Sequence, residues 1–157
     1  MTRTHIISLL AFIVAIPAAT AGSFFSSSAK PCFLADTTGY EISAGAQADY
    51  TVRIDNTAPA PGLRMQLVDD SATADFVLVD DGDAAAACKA ASAIKSIRLD
   101  PAAANADLTV ALSRQPADYK IYVRSANFTA QDAAALFAVI WQNARKTGSG
   151  REFAQRH

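Results

Sequence analysis

The sequence predicts an α+β domain: an antiparallel sheet of about five or six strands with a C-terminal amphipathic helix packed on one face. Apolar and polar residues alternate in four segments, and this period of two is typical of strands with one buried and one solvated face. The four segments are 50–55, 63–67, 108–113 and 119–124. The clear helical pattern comes only after the last strand, an order that is typical of α+β domains.

Two further apolar runs and the short links complete the predicted sheet. Residues 76–79 are apolar throughout, so we expect a central strand that is covered, at least in part, on both faces. Residues 97–99 predict a short strand. Two links are too short for the crossover that parallel strands need, and they therefore predict antiparallel hairpins. The hairpins pair 63–68 with 75–80 and 108–113 with 118–125.

The C-terminal helix has a start signal and an apolar stripe. Thr129 and Asp132 have the spacing of a capping box, with aspartate in place of the usual glutamate. Arg145 and Lys146 suit the negative end of the helix dipole. The apolar stripe recurs at helical spacing, at Ala133, Leu136, Phe137, Ile140 and Ala144. A second, alanine-rich helix is a further expectation for 84–94.

The first 21 residues have the features of an export signal. Arg3 and His5 precede an apolar run of 11 residues, Ile6–Ile16. As a helix this run rises only about 16 Å, whereas the hydrocarbon core of a membrane is roughly 30 Å thick. Ala19–Ala21 supplies the small-x-small pattern of a signal peptidase site, so we expect cleavage before Gly22. Retention of the segment as an uncleaved anchor is the alternative.

The mature chain is expected to be a periplasmic or secreted protein with no membrane span. After the signal peptide (1–21), the sequence predicts a flexible serine-rich lead-in (22–30), one α+β domain (31–146) and a flexible tail (147–157).

The two cysteines, Cys32 and Cys88, most simply form one disulfide in an oxidising compartment. The bridge would close a loop of about 57 residues and contribute about 4 kcal/mol on the chain-entropy model. Free or redox-active thiols are the alternative, although no Cys-x-x-Cys spacing is present.

Several kinds of chemistry are excluded by the composition. His157 is the only histidine after the signal peptide, so the body lacks a Ser-His-Asp or Cys-His site and a histidine–cysteine zinc site. The 7 glycines are scattered, and no phosphate loop or other cofactor motif is present, so we expect no cofactor. A net charge of −1 argues against nucleic acid as a partner.

Aspartate is the abundant functional side chain. Asp80, Asp81 and Asp83 form a candidate divalent-cation site because such ions need several oxygen ligands, but solvated loop-end aspartates are the alternative. Aspartate also follows alanine at the start of four predicted strands, where it accepts backbone hydrogen bonds; a repeated ligand set is the alternative. These four residues are Asp49, Asp75, Asp107 and Asp118.

The polar face of the sheet is the main candidate for binding. It combines five cations with an aromatic ring, a composition that suits an anionic partner or a protein interface; ordinary solvated strand charge is the alternative. The candidate residues are Arg53, Arg64, Arg98, Lys120, Tyr122 and Arg124. The sequence therefore favours an exported, non-catalytic binding or accessory protein that acts on a protein or envelope partner through a sheet face or edge. A divalent-cation or small-ligand carrier and a small hydrolase without histidine are the alternatives.

Overall fold

The computed structural model describes residues 31–80 and 87–147, which form one sheet of eight strands and one C-terminal helix. The α+β class is therefore confirmed. The predicted signal peptide, the lead-in and most of the predicted tail lie outside the described residues. The elements are β1 (Cys32–Ala35), β2 (Thr38–Ile42), β3 (Tyr50–Ile54), β4 (Leu63–Leu67), β5 (Phe76–Asp80), β6 (Ala93–Leu99), β7 (Leu108–Ser113), β8 (Tyr119–Ser125) and α1 (Ala130–Lys146).

The sheet is mostly parallel, so the predicted antiparallel sheet of five or six strands is wrong. The strand order is β1-β2-β6-β3-β7-β4-β8-β5. Only β1 and β2 pair antiparallel, and the other six neighbouring pairs are parallel. Both predicted hairpins are also wrong, because β8 lies between β4 and β5 and β4 lies between β7 and β8.

A regular stagger explains how short links can join parallel strands. Ile54, at the end of β3, and Leu63, at the start of β4, both lie level with Val110 of β7. The link between β3 and β4 therefore only has to cross β7, and it does not run back along the length of a strand. An ordinary parallel crossover needs a dozen or more residues because it returns to the level at which the previous strand began.

The sheet curls around α1, which corrects the prediction of a helix that lies on one face. Eight consecutive helical residues, Ala133–Ile140, are at most 7% exposed. A helix that rests on a flat sheet keeps one face in water, so burial all round requires protein on every side. Half of these eight residues are alanine, and their small side chains let the surrounding strands approach the helix closely.

The inward side chains of the sheet complete the core around α1. Val52, Met65, Ile97, Val110 and Ile121 are fully buried. In β3, β4, β7 and β8 these buried residues are followed and preceded by residues of the outer face. The predicted period of two is therefore confirmed for these four strands.

Both ends of α1 are held by polar contacts. The predicted capping box is confirmed: the Thr129 hydroxyl accepts the backbone N–H of Asp132, and the Asp132 carboxylate accepts the backbone N–H of Thr129 at 2.8 Å. Near the other end, the Trp141 indole N–H donates to the Tyr119 hydroxyl at 2.9 Å. The guanidinium of Arg145 lies 4.6 Å from the centre of the Trp141 ring.

Cys32 and Cys88 form the predicted disulfide, with their Cα atoms 5.9 Å apart. This bond is compatible with an extracellular or periplasmic protein. Gly39 lies directly beneath it, and a methyl group at this position would come within 2.7 Å of the Cys88 sulfur. Glycine is therefore required here by close approach.

The predicted alanine-rich helix is wrong where the structure describes it. Residues Ala87–Ala90 form a short 3-10 helix, and Ala93–Leu99 form a strand. The segment forms a strand because this conformation buries Ile97 in the core, whereas the helix propensity of alanine is only a weak preference. No helix in the described parts of the chain is long and apolar enough to cross a membrane.

Candidate functional site: the outer face of the sheet

The six residues predicted for binding all lie in strands, at positions whose sequence neighbours point into the core. Arg53 follows the buried Val52, Arg98 follows the buried Ile97, and Lys120 precedes the buried Ile121. Because successive side chains of a strand point to opposite faces, these residues belong to the outer face. Curling of the sheet leaves this face on the outside of the molecule.

Two of the predicted cations are held by local partners. Arg53 lies 3.9 Å from the Asp55 carboxylate, and Arg98 lies 3.5 Å from the Asp100 carboxylate. Arg53 also donates to the carbonyl of Ala103 at 3.2 Å, so the loop between β6 and β7 reaches over it. Both arginine side chains are only 30% exposed. These contacts indicate a structural role, in which the two arginines hold strand ends and a loop together.

The other four candidates lie closer to the β5 end of the sheet. Arg64, Lys120 and Arg124 are exposed, and Tyr122 is half-buried. Within residues 31–80 and 87–147, neither Arg64 nor Lys120 forms an ion pair. Their charges are therefore available to a partner.

Two exposed valines of β5 lie beside these residues. Val77 and Val79 are 44% and 41% exposed, and they are paired in register with Tyr122 and Arg124 of β8. Among the described residues only one other large apolar side chain, Ile94, is as exposed. The apolar and cationic side chains together form what we call the β5–β8 surface, defined as Val77, Val79, Lys120, Tyr122 and Arg124.

Sequence reasoning missed the valines because it predicted a central strand. A continuous apolar run is typical of a strand covered on both faces, but β5 is the last strand of the sheet. Its outer face is uncovered, so the expectation of cover on both faces is wrong. The dense aspartates on either side of 76–79 were the available signal, since charges often flank exposed strands.

The structure gives Asp80 a local role. Its carboxylate accepts a hydrogen bond from the Ser125 hydroxyl at 3.0 Å and another from the side-chain amide of Asn127. Asp81 and Asp83 lie outside the described residues. In the described part of the chain, no three histidine, cysteine or acidic side chains are grouped so that they could hold a metal ion.

Aspartates at strand starts bind backbone groups of neighbouring strands. The stagger leaves a backbone N–H of the neighbouring strand exposed at each step, and the carboxylates of Asp49, Asp75 and Asp107 accept these groups. The donors are Ser96 (2.8 Å), Lys120 (2.7 Å) and Thr51 (2.7 Å), respectively. These three aspartates therefore have the structural role, whereas Asp118, the fourth of the predicted set, forms no such hydrogen bond within the described residues.

Asp49 makes stability depend on pH in the acid range. The backbone N–H of Ser96 and the ammonium of Lys95, 3.1 Å away, lower the pKa of Asp49 to about 2. Because the pKa of Asp49 is lower in the folded state, its carboxylate stabilises the protein at pH values above the unfolded-state pKa of about 3.9. This stabilisation is lost as the pH falls toward 2. We therefore expect the difference in unfolding free energy between wild type and Asp49→Asn to shrink from pH 5 to pH 2, measured by urea denaturation. A constant difference would contradict this assignment.

No known protein family matches the sequence, and no curated protein or solved structure is significantly similar to it. The function must therefore be inferred from the chemistry of the surface itself.

Proposed function

We propose that the protein is an exported, non-catalytic binding protein, periplasmic or secreted, that holds a partner protein at the β5–β8 surface. One observation carries this proposal: two of the three exposed large apolar side chains of the described residues lie on the terminal strand, next to a tyrosine and an arginine. Tyrosine and arginine are enriched at the energetic centres of protein interfaces.

The surface also has the support that an interface needs. Phe76 and Leu78, which alternate with the two valines, are buried in the core, and Phe76 packs on Phe137 of α1 with ring centres 5.4 Å apart. The strand is therefore fixed before a partner arrives, which reduces the ordering cost of association. The predicted signal peptide and the Cys32–Cys88 disulfide agree with a site of action outside the cytoplasm.

Serine substitution of Val77, Val79 and Tyr122 in one variant tests the proposal. Immobilised wild type and variant are compared for proteins captured from an envelope extract of the source organism. We expect captured protein to fall by more than about tenfold, because residues at the centre of an interface each contribute 1 kcal/mol or more.

Ile94→Ser is the matched control, since Ile94 is 54% exposed and lies on β6, away from β5. It should capture as much as the wild type. Equal capture by the triple variant and the wild type, with both variants folded by circular dichroism, would refute a role for this surface.

A further inference from the structure

The chain that leads into β1 arrives beside β5. Phe33 of β1 contacts Phe76 of β5, with ring centres 5.8 Å apart, so the two terminal strands of the curled sheet face each other. β1 is antiparallel to β2, and all other neighbouring pairs are parallel, so β1 and β5 run in opposite directions. The step from Phe33 back to Cys32 therefore has the same direction as the step from Phe76 forward to Val77. The segment that precedes Cys32 thus starts beside the outer residues of β5.

The outer face of β5 carries an apolar patch. Val77 and Val79 are 44% and 41% exposed, and the Tyr122 side chain lies level with Val77 on β8. The two valines are two residues apart, which is about 7 Å along a strand. Two large apolar side chains are enough to cover a patch of this length, and covering it removes apolar surface from water.

Two adjacent phenylalanines precede β1 by a short polar spacer. Phe24 and Phe25 are the only large apolar residues between the predicted cleavage site and Cys32. The six residues of the spacer, 26–31, can extend over about 20 Å. Val79 lies three residues beyond Phe76, or about 10 Å along the strand. The spacer is therefore long enough to bring both rings to the patch while β1 stays in place.

We infer that Phe24 and Phe25 of the lead-in pack over Val77 and Val79 and cover the β5–β8 surface until a partner protein displaces them. This inference rests on the proposed function and adds a means of regulating the same surface. The tether gives the two rings an effective concentration in the millimolar range, so weak apolar contacts occupy the patch for much of the time. The lead-in of a second copy has no such advantage at micromolar protein concentration. A partner binds only the uncovered fraction, and its apparent affinity falls in proportion.

Methyl NMR of the mature chain tests the contact directly. Aromatic rings shift the resonances of the methyl groups on which they lie, so the double variant Phe24→Ser, Phe25→Ser should change the methyl shifts of Val77 and Val79. The exposed methyl groups of Ile94 are the internal control and should keep their shifts. Wild type should also show nuclear Overhauser contacts between the phenylalanine rings and the two valines.

Capture of protein from the envelope extract measures the regulation. Loss of the two phenylalanines should raise capture at limiting protein concentration by about threefold, because a tethered segment at millimolar effective concentration leaves only part of the surface uncovered. The double variant Ser27→Ala, Ser28→Ala is the matched control within the lead-in, and it should capture as much as the wild type.

Unchanged methyl shifts of Val77 and Val79 in the phenylalanine variant would overturn the inference. Shift differences that disappear on dilution would assign the contact to a second copy and would also overturn it. Equal or lower capture by the phenylalanine variant would overturn the competition with a partner. If this variant behaves as the wild type while capture still depends on the β5–β8 surface, only the inference about the lead-in falls. If capture does not depend on that surface, the proposed function falls, and the methyl shifts still decide whether the lead-in covers the valines.

Discussion

Replacing Ala138 with glutamate is expected to lower the free energy of unfolding by about 4 kcal/mol or more at neutral pH. Ala138 is fully buried, although it lies on the side of α1 opposite the apolar stripe that the sequence shows. A carboxylate placed there would be buried in the hydrophobic core, and the cost of such a charge is about 4 kcal/mol or more. This is a large part of the 5–15 kcal/mol that stabilises an ordinary domain. The larger apolar substitution Ala138→Leu should cost less, about 1–3 kcal/mol, through overpacking.

Urea denaturation followed by circular dichroism measures both effects. Gln131→Glu is the matched control, because Gln131 lies in the first turn of the same helix and is exposed; its effect should stay within about 0.5 kcal/mol. If Ala138→Glu and Gln131→Glu unfold at the same urea concentration, α1 has a solvated face and the curled sheet does not enclose it.

The local patterns of the sequence predicted which face of each strand is buried. Met65, Val110 and Ile121 are fully buried, as the period of two indicates, and the Thr129 cap begins the helix. These features depend on side chains that are close along the chain, so a single sequence contains them.

Strand pairing was not predictable because it depends on stagger. The link between β4 and β5 suggested a hairpin by its length alone, but Leu67 and Phe76 lie level with the same residue, Ile121 of β8. Only the pairing of both strands with β8 shows that β5 continues in the direction of β4 and does not pair with it as a hairpin. The exposed face of β5 was missed because an apolar run does not show whether a second layer covers the outer face of its strand.

The enclosed helix was missed because alanine is ambiguous. Ala134, Ala135 and Ala138 lie outside the predicted stripe, and alanine is common both on solvated helix faces and in cores. In this fold its small size is the property that matters, because the interior of the curled sheet is narrow.

Dividing the chain between Asp83 and Ala84 is expected to abolish the structure of both halves when each is alone. β2, β3, β4 and β5 come from the first half, and each pairs with at least one of β6, β7 and β8 from the second. Within the first half only β1 and β2 pair, and within the described second half no two strands are neighbours. An isolated two-stranded hairpin is at best marginally stable in water, and unpaired strands have no sheet to join.

Far-ultraviolet circular dichroism and amide NMR spectra of the separate fragments 22–83 and 84–157 should therefore show unfolded chains. Mixing the fragments under oxidising conditions should restore the native spectrum, because every ladder can then form and the Cys32–Cys88 bond joins the two pieces. The two strands of every neighbouring pair except β1 and β2 are far apart in the sequence, so refolding should be slow for a domain of this size.

The predicted hairpins would give the opposite result for the fragments. They would leave β4 paired with β5 in one fragment and β7 paired with β8 in the other. A dispersed NMR spectrum from either fragment alone would thus favour hairpins over the interleaved sheet.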